Sequence, residues 1–268
     1  MNDHKNLSQQ LRHEKIIELV STRGFVSVED IAGHFDVTPQ TVRRDINVLA
    51  ASNQLRRFHG GAGAAATTQN TEWATRKQLQ ANEKARIAKI VAAHIPDHAS
   101  LFINIGTTNE AIAHALLHHK GLKIITNNLH VAATVSGKAD FDIIIAGGKV
   151  RSHDGGIIGS ATVDFIQQFR VDYGIIGISG IDEDGSLLDF DYQEVRVSQA
   201  IIANSREVLL AVDHTKFGRR AMIRLGDLDQ IDSLVTDARP STTFQGLLKE
   251  RNVKLLLAET DDSTRPEP

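Results

Sequence analysis

Between residues 83 and 258, seven apolar runs of strand length alternate with stretches of helical periodicity. The runs are apolar at successive positions, which is typical of strands buried on both faces. A helical stretch at 83–94 precedes them, and others separate most of them. The runs are 101–105, 122–126, 141–146, 173–178, 208–212, 233–236 and 253–258. This alternation predicts an α/β domain whose mostly parallel sheet is covered by helices on both faces.

The N-terminal part has a different rhythm, and residues 10–50 predict three short helices. The first carries apolar residues at helical spacing and ends at Gly24. The second begins at Ser27, with Asp30 three residues later as its capping-box partner. The third begins at Thr38-Pro39, because Thr caps free backbone N–H groups and Pro fits the first turn. A strand at Leu55–Phe58 and a glycine turn complete a mainly α, winged helix-turn-helix pattern.

The third predicted helix has one apolar and one polar face. Val42, Ile46 and Leu49 fall within a narrow arc and therefore face the core. A helix that presents Gln and Arg outward can enter the major groove, where Arg reads guanine and Gln reads adenine. The helix start and the wing lie where they can bind phosphates. The predicted DNA contacts are Thr38, Gln40, Thr41, Arg43, Arg44, Asn47, Arg56, Arg57 and His59.

The overall charge does not by itself favour nucleic-acid binding, since the net charge is −3. DNA binding therefore depends on a local basic face. The alternative is that Arg43 and Arg44 form an exposed helix face and that Asp45 pairs with one of them. The agreement of the three-helix pattern, the paired arginines and the basic wing favours DNA binding.

The segments Phe25–Ile31, Thr38–Ile46 and Leu55–Ala62 resemble the DeoR-type helix-turn-helix. The domain boundaries follow from changes in composition. We predict a helix-turn-helix domain at 8–64, a small-residue, polar linker at 65–82, a sensing domain at 83–258 and a charged, Pro-containing, disordered tail at 259–268.

Polar clusters follow five of the predicted strands. The carboxyl ends of strands in a doubly wound sheet line one crevice, so these clusters are expected to converge on a ligand. The turn at Gly106-Thr107-Thr108 opens a helix and suits a phosphate, and Lys216 can neutralise one. Asn127 and Asp182 can bind hydroxyl groups. The full set of predicted ligand contacts is Asn104, Gly106, Thr107, Thr108, Thr126, Asn127, Asn128, Gly148, Gly180, Asp182, Glu194 and Lys216.

The segments Ala146–Arg151, Asp154–Gly159 and Asp213–Arg219 resemble the DeoR-family sensor domain, which is similar in fold to ribose-5-phosphate isomerase. The resemblance covers about residues 10–257. It implies a repressor that a phosphorylated metabolite releases from DNA, and within the family the chain looks most like members that respond to sn-glycerol 3-phosphate. Another phosphorylated sugar is the alternative effector. This sequence departs from the family at Asn104, where Asp is usual, and so lacks an acid or base there.

An enzyme is the rival interpretation, namely a sugar-phosphate isomerase with an attached DNA-binding domain. In the resemblance, Ser198 stands where the isomerases keep a catalytic Glu, and Glu194 lies one helical turn earlier. Glu194 either folds inward or pairs with Arg196 or another neighbour. His114, His118 and His119 share one predicted helix, and His114 and His118 are spaced as zinc ligands. We see no further ligand to complete a site, so an exposed helix face is the favoured interpretation. We expect a non-enzyme without a cofactor or metal.

The remaining expectations concern location and partners. The sequence contains no Cys, shows no signal-peptide pattern and has no apolar run long enough to span a membrane. These features predict a cytoplasmic protein. Its predicted partners are double-stranded operator DNA, a small phosphorylated effector and further copies of itself, as a dimer or tetramer.

Overall fold

The computed structural model describes residues 3–23, 25–52, 54–58, 60–64 and 73–258. The chain divides into two compact units between Leu79 and Gln80. The predicted tail at 259–268 and residues 65–72 of the predicted linker lie outside the described residues. The rest of that predicted linker range contains a short helix and the first residues of a longer one.

The N-terminal unit contains the three predicted helices and a small antiparallel sheet. The elements are α1 (Asp3–Arg23), β1 (Phe25–Ser27), α2 (Val28–Phe35), α3 (Pro39–Ala51), β2 (Leu55–Phe58), β3 (Gly61–Ala64) and α4 (Trp73–Gln78). The strand order is β1-β3-β2. Helix α1 begins seven residues before the predicted start, and β1 was not predicted.

Both predicted helix caps are present. The Ser27 hydroxyl accepts a hydrogen bond from the Asp30 backbone N–H at 3.0 Å. The Thr38 hydroxyl accepts one from the Thr41 backbone N–H at 3.2 Å, and proline occupies the first turn of α3. The core of this unit includes Val42, Ile46 and Leu49, so the apolar arc of α3 was predicted correctly.

The C-terminal unit contains a seven-stranded sheet in which every paired neighbour runs parallel. Its strands are β4 (Ser100–Ile103), β5 (Lys123–Thr126), β6 (Asp142–Ile145), β9 (Val171–Ile176), β12 (Ser205–Ala211), β14 (Ser233–Thr236) and β15 (Lys254–Leu257). Their order is β15-β14-β12-β9-β4-β5-β6. Each strand overlaps one of the seven predicted runs, so the mostly parallel sheet is confirmed.

Helices cover both faces of this sheet, and they create two apolar cores. The helices are α5 (Ala81–His94), α6 (Thr107–Ala115), α7 (Leu129–Val135), α8 (Ser160–Ile166), α9 (Tyr192–Ala203) and α10 (Thr242–Glu250). Side chains of α5, α6 and α7 share one core with Leu101 and Ile103 of β4. Those of α8, α9 and α10 share the other with Phe102. Successive residues of β4 therefore enter opposite cores, as a strand buried on both faces requires.

Short antiparallel strands project beyond the carboxyl ends of the main sheet. One pair is β7 (Lys149–Arg151) with β8 (Gly156–Ile158). A second small sheet contains β10 (Gly180–Ile181), β11 (Ser186–Asp189) and β13 (Ile223–Asp227). Among the described helices, none is long and apolar enough to cross a membrane.

Gly180 of β10 has a packing role that a larger residue cannot fill. A Cβ atom at this position would collide with the backbone carbonyl of Arg219. We therefore predict that Gly180→Ala lowers the free energy of unfolding by about 1–3 kcal/mol through overpacking. Thermal unfolding would show a fall in the melting temperature of the C-terminal unit of roughly 2–4 °C per kcal/mol.

Gly137→Ala is the matched control for this prediction. A Cβ atom at Gly137 would have no neighbour within 4 Å, and the backbone there is not left-handed. The control should melt close to the wild type. Equal melting temperatures for Gly180→Ala and the wild type would contradict the proposed packing role.

Candidate DNA-binding surface and ligand site

The exposed face of α3 carries the predicted base-reading residues. Gln40, Arg43, Arg44 and Asn47 are exposed and lie away from the core-facing residues of the helix. Thr38 and Thr41 lie at the helix start, where their hydroxyl oxygens are 2.9 Å apart. The first-turn N–H groups have no partner within a helix, so this end can bind a phosphate.

The wing contributes one described basic side chain. Arg57 donates a hydrogen bond from Nη1 to Oδ1 of Asn47 at 2.9 Å, which joins β2 to the outer face of α3. The side chain of Arg56 and the whole of His59 lie outside the described residues. The structure thus brings Arg57 beside the predicted reading face, and the other two wing contacts stay predictions.

Asp45 pairs with α1 and not with the arginines beside it on α3. Its side chain is buried, and it accepts hydrogen bonds from Arg12 Nε at 2.7 Å and from Gln9 Nε2 at 3.4 Å. His13 Nε2 lies 2.9 Å from Oδ1 of Asp45. Arg43 instead lies 3.9 Å from Glu29 of α2 in an exposed pair. The alternative pairing of Asp45 with Arg43 or Arg44 is therefore wrong.

A signal for this burial exists in the sequence. At 100° per residue, Val42, Ile46 and Leu49 span about 60°, and Asp45 lies about 40° beyond Leu49, at the edge of this arc. Burial alone would raise the pKa of Asp45, but the hydrogen bonds and charges of Arg12 and His13 outweigh it and lower that pKa. A carboxylate buried beside an apolar arc thus requires a cationic partner from another element.

In the C-terminal unit, the carboxyl ends of the parallel strands bring several predicted ligand residues to one edge. Asn104 follows β4, and Gly106 ends that loop with a φ of 144° immediately before α6. Thr107 and Thr108 form the first turn of α6. Asn127 and Asn128 follow β5. This edge therefore presents a helix start next to two buried amide side chains.

Asn104 and Thr126 also lie at this edge, but their side chains form hydrogen bonds with other parts of the protein. The Asn104 amide donates to the Ser198 hydroxyl at 3.0 Å and accepts from the Asn109 amide at 2.5 Å and from the Gly177 backbone N–H at 3.1 Å. The Thr126 hydroxyl donates to the Ile103 carbonyl at 2.6 Å. Both side chains are buried, and these hydrogen bonds give them a structural role.

Asn127 and Asn128 differ, because each has one buried polar atom that no neighbour satisfies. Asn127 uses its Nδ2 to donate to the Ile157 carbonyl at 3.0 Å, and Asn128 uses its Oδ1 to cap α7. Asn127 Oδ1 and Asn128 Nδ2 have no hydrogen-bond partner among the described residues. A buried unsatisfied acceptor and donor at one strand end are suited to a polar ligand.

Three other predicted ligand residues have packing or turn roles in the structure. A Cβ atom on Gly148 would collide with the Thr162 hydroxyl, and Gly180 packs against the backbone of Arg219. Asp182 belongs to the turn between β10 and β11, where its Oδ1 accepts a hydrogen bond from the Glu183 backbone N–H at 2.9 Å. These packing and turn roles are what the structure shows for the three residues, and their contacts with a ligand stay predictions.

Arg151 forms a charged network that the sequence did not predict. Its guanidinium donates to Asp154 at 2.9 and 2.6 Å, to Asp191 at 2.7 Å and to Glu194 at 2.6 Å. These bonds connect the β7–β8 hairpin to the first turn of α9. The alternative that Glu194 pairs with Arg196 is wrong, because Glu194 folds inward to Arg151 with its side chain 13% exposed.

The carboxylates of this region differ in their acidity. Burial alone would raise the pKa of Asp154 and of Asp191, but hydrogen bonds from Arg151 outweigh it and lower both. Burial and the nearby charge of Asp189 raise the pKa of Glu194 to about 8. Burial also raises the pKa of Asp189. One guanidinium therefore does not keep all of these carboxyl groups ionised at neutral pH.

Lys216 follows β12 and lies close enough to one of these carboxyl groups, that of Asp189, for its charge to act on it. It lies in the 3₁₀ turn His214–Lys216, which Asp213 caps by accepting the Thr215 backbone N–H at 3.0 Å. His214 is anchored by its Nδ1, which lies 2.6 Å from Asp237. The positive charge of Lys216 acts on Asp189 and on Asp213. The site thus combines a lysine with a carboxyl group of raised pKa.

The hairpin of Arg151 lies over the loop that leads to α6. A Cβ atom on Gly156 of this hairpin would lie 2.5 Å from Cδ1 of Ile105. The Ile157 backbone N–H donates to the Asn127 carbonyl at 2.7 Å. The Arg151 network, the α6 start and the Asn127-Asn128 pair are therefore adjacent. Within the described part of the chain, no group of His, Asp and Glu side chains is arranged to hold a metal ion.

Loss of the Arg151 guanidinium should destabilise the C-terminal unit. Arg151→Met leaves the carboxylates of Asp154 and Asp191 without their cation, and we expect it to reduce the free energy of unfolding by about 3 kcal/mol. Urea unfolding of the full chain would measure this change. Arg170→Met removes an exposed arginine and is the control, with little expected effect. Equal stability of the two variants would refute a structural role for the network.

Two family models match the chain. A model described as "DeoR-like helix-turn-helix domain" matches residues 12–68, and one described as "DeoR C terminal sensor domain" matches residues 79–238. The glycerol-3-phosphate regulon repressor of Escherichia coli K12 is 55% identical over 94% of this chain and 100% of its own length. That of Haemophilus influenzae is 51% identical over 94% of this chain and 98% of its own length.

Solved structures resemble the chain more distantly. Ribose 5-phosphate isomerase A of Methanocaldococcus jannaschii matches with a TM-score of 0.38 and 12% identity, over 52% of this chain and 55% of its own.

Proposed function

The chain belongs to the DeoR family of helix-turn-helix regulators, and from this premise we propose that it represses genes of glycerol 3-phosphate metabolism and leaves its operator when sn-glycerol 3-phosphate binds the C-terminal unit. Two relatives that share more than half of their aligned residues with it are named glycerol-3-phosphate regulon repressors. The protein acts in the cytoplasm, where its operator DNA is.

The exposed face of α3 supports operator binding. Gln40 and Arg44 are free of the core and have the side chains that read adenine and guanine in a major groove. Arg57 lies beside this face through its bond to Asn47 and is suited to a backbone phosphate. Two copies of the chain would read paired half-sites about one helical turn of DNA apart.

The start of α6 is the observation that carries the proposed effector site. The phosphate binds the backbone N–H groups after Gly106, with Thr107 and Thr108, and Lys216 supplies a positive charge. The glycerol hydroxyl groups bind the unsatisfied amide atoms of Asn127 and Asn128 and the carboxyl group of Glu194. The effector thereby satisfies buried polar atoms that would otherwise cost free energy.

The same geometry argues against isomerase activity in this chain. Ser198 stands where the resemblance to the isomerases puts a catalytic Glu, and it accepts a hydrogen bond from Asn104. Glu194 is held by Arg151 and has a pKa of about 8, so it is mostly protonated at neutral pH. Abstraction of a proton from carbon uses a positioned carboxylate, which Ser198 does not supply. The chain senses its ligand without converting it.

A direct test uses fluorescence anisotropy with DNA from upstream of glycerol-catabolism genes. The protein should bind this DNA, and sn-glycerol 3-phosphate should release it while glycerol and inorganic phosphate do not. Release by a different phosphorylated sugar only would retain the mechanism and replace the effector. Turnover of a sugar phosphate would instead support the enzyme, and stronger DNA binding with ligand would contradict repression relieved by the effector.

The acidity of Glu194 predicts a pH dependence of effector binding. Above its pKa of about 8, Glu194 ionises and adds a negative charge beside an anionic ligand. We expect the effector affinity to fall roughly tenfold between about pH 7.5 and pH 9. Titration calorimetry at several pH values would measure it. Glu194→Gln cannot ionise, so its profile over this range should be flat, and a profile parallel to that of the wild type would reject the assignment.

A further inference from the structure

The buried ion cluster between α1 and α3 lies directly behind the proposed reading face. Asp45 is the neighbour in sequence of Arg44, but its side chain is only 2% exposed. Its two carboxylate oxygens face Arg12 Nε at 2.7 Å and His13 Nε2 at 2.9 Å, both from α1. Thus one helical position projects towards DNA, while the next is fixed to another helix.

Apolar packing and this ion cluster constrain α3 differently. The contacts of Val42, Ile46 and Leu49 determine which face is buried, but the hydrophobic effect has no preferred direction. A charged hydrogen bond at 2.7 Å requires a defined distance and angle. The cluster therefore fixes the rotation of α3 about its axis more narrowly than its apolar residues do.

Small rotations of this helix would matter for base reading. Side-chain tips lie about 5–6 Å from a helix axis, so a rotation of about 10° moves a tip by roughly 1 Å. A shift of this size takes a hydrogen bond from its optimal length to beyond its useful range. Gln40 and Arg44 would then lose bidentate contacts to bases, whereas contacts to flexible phosphates would persist.

We propose that Asp45, together with Arg12 and His13, is a positioning residue for operator recognition that sets the rotation of α3 and contributes sequence selectivity without contacting DNA. The proposal rests on DNA binding through α3, which is part of the proposed function. It predicts that loss of the cluster lowers selectivity between DNA sequences more than it lowers affinity for DNA in general.

The test measures the affinity of the full chain for two duplexes of equal length, one selected by the wild-type protein from random sequences and one scrambled. The readout is the ratio of the two affinities. Unfolded protein binds neither duplex specifically, so the ratio does not depend on the fraction of folded protein. A merely structural role would therefore leave the ratio unchanged.

Four variants distinguish a positioning role of the cluster from a direct DNA contact by its cations. Arg12→Met and Asp45→Asn break the ion pair, while Arg12→Lys keeps a positive charge opposite Asp45. Lys15→Met is the matched control, because it removes an exposed cation of α1 outside the cluster. Asp45→Asn removes no cation, so it also distinguishes positioning from a direct phosphate contact of Arg12.

Arg12→Met and Asp45→Asn should lower the affinity ratio by about tenfold, the size of one lost base-specific contact. Arg12→Lys and Lys15→Met should keep the wild-type ratio, and Asp45→Asn should leave the salt dependence of binding unchanged. Unchanged ratios in both Arg12→Met and Asp45→Asn would overturn the proposal.

If the selected duplex differs from the DNA of glycerol genes, the proposed regulon fails while this inference stands. If the wild type selects no sequence, both fail.

Discussion

The guanidinium of Arg151 connects parts of the chain that lie far apart in sequence. It binds Asp154 within its own hairpin, and it binds Asp191 and Glu194 at positions 40 and 43 residues later. Its side chain is 12% exposed, so these charged hydrogen bonds form largely away from water. The β7–β8 hairpin is thereby held against α9 and over the loop before α6. The geometry of the proposed effector site depends on this attachment.

The carboxyl groups of the proposed site are not all ionised at neutral pH. Asp154 and Asp191 stay ionised beside Arg151, while burial raises the pKa of Glu194 and of Asp189. A protonated carboxyl group can donate a hydrogen bond, and it does not repel an anionic ligand as a carboxylate does. The site can therefore accept a phosphorylated polyol next to several acidic residues.

The parallel sheet was predictable because its strands are long enough to show an uninterrupted apolar pattern. The strands β7, β8 and β10 contain only two or three residues each, and long-range pairing defines them. The strand ends also predicted where Asn104 and Gly180 lie. They did not predict that neighbouring residues contact both, so that each has a structural role. The place of Asp45 at the edge of the apolar arc of α3 is only a weak signal of its burial. Its partners Arg12 and His13 depend on how α1 packs, which periodicity does not give.

The proposed function requires that the ligand site of the C-terminal unit and the operator-binding surface affect each other. Such coupling is reciprocal, so the factor by which a ligand weakens operator binding equals the factor by which the operator weakens ligand binding. Titration calorimetry of sn-glycerol 3-phosphate into the free protein and into the protein–operator complex measures it directly. We expect the ligand to bind the complex more weakly than the free protein, by roughly 5–150-fold. Equal ligand affinity in the two titrations would contradict it.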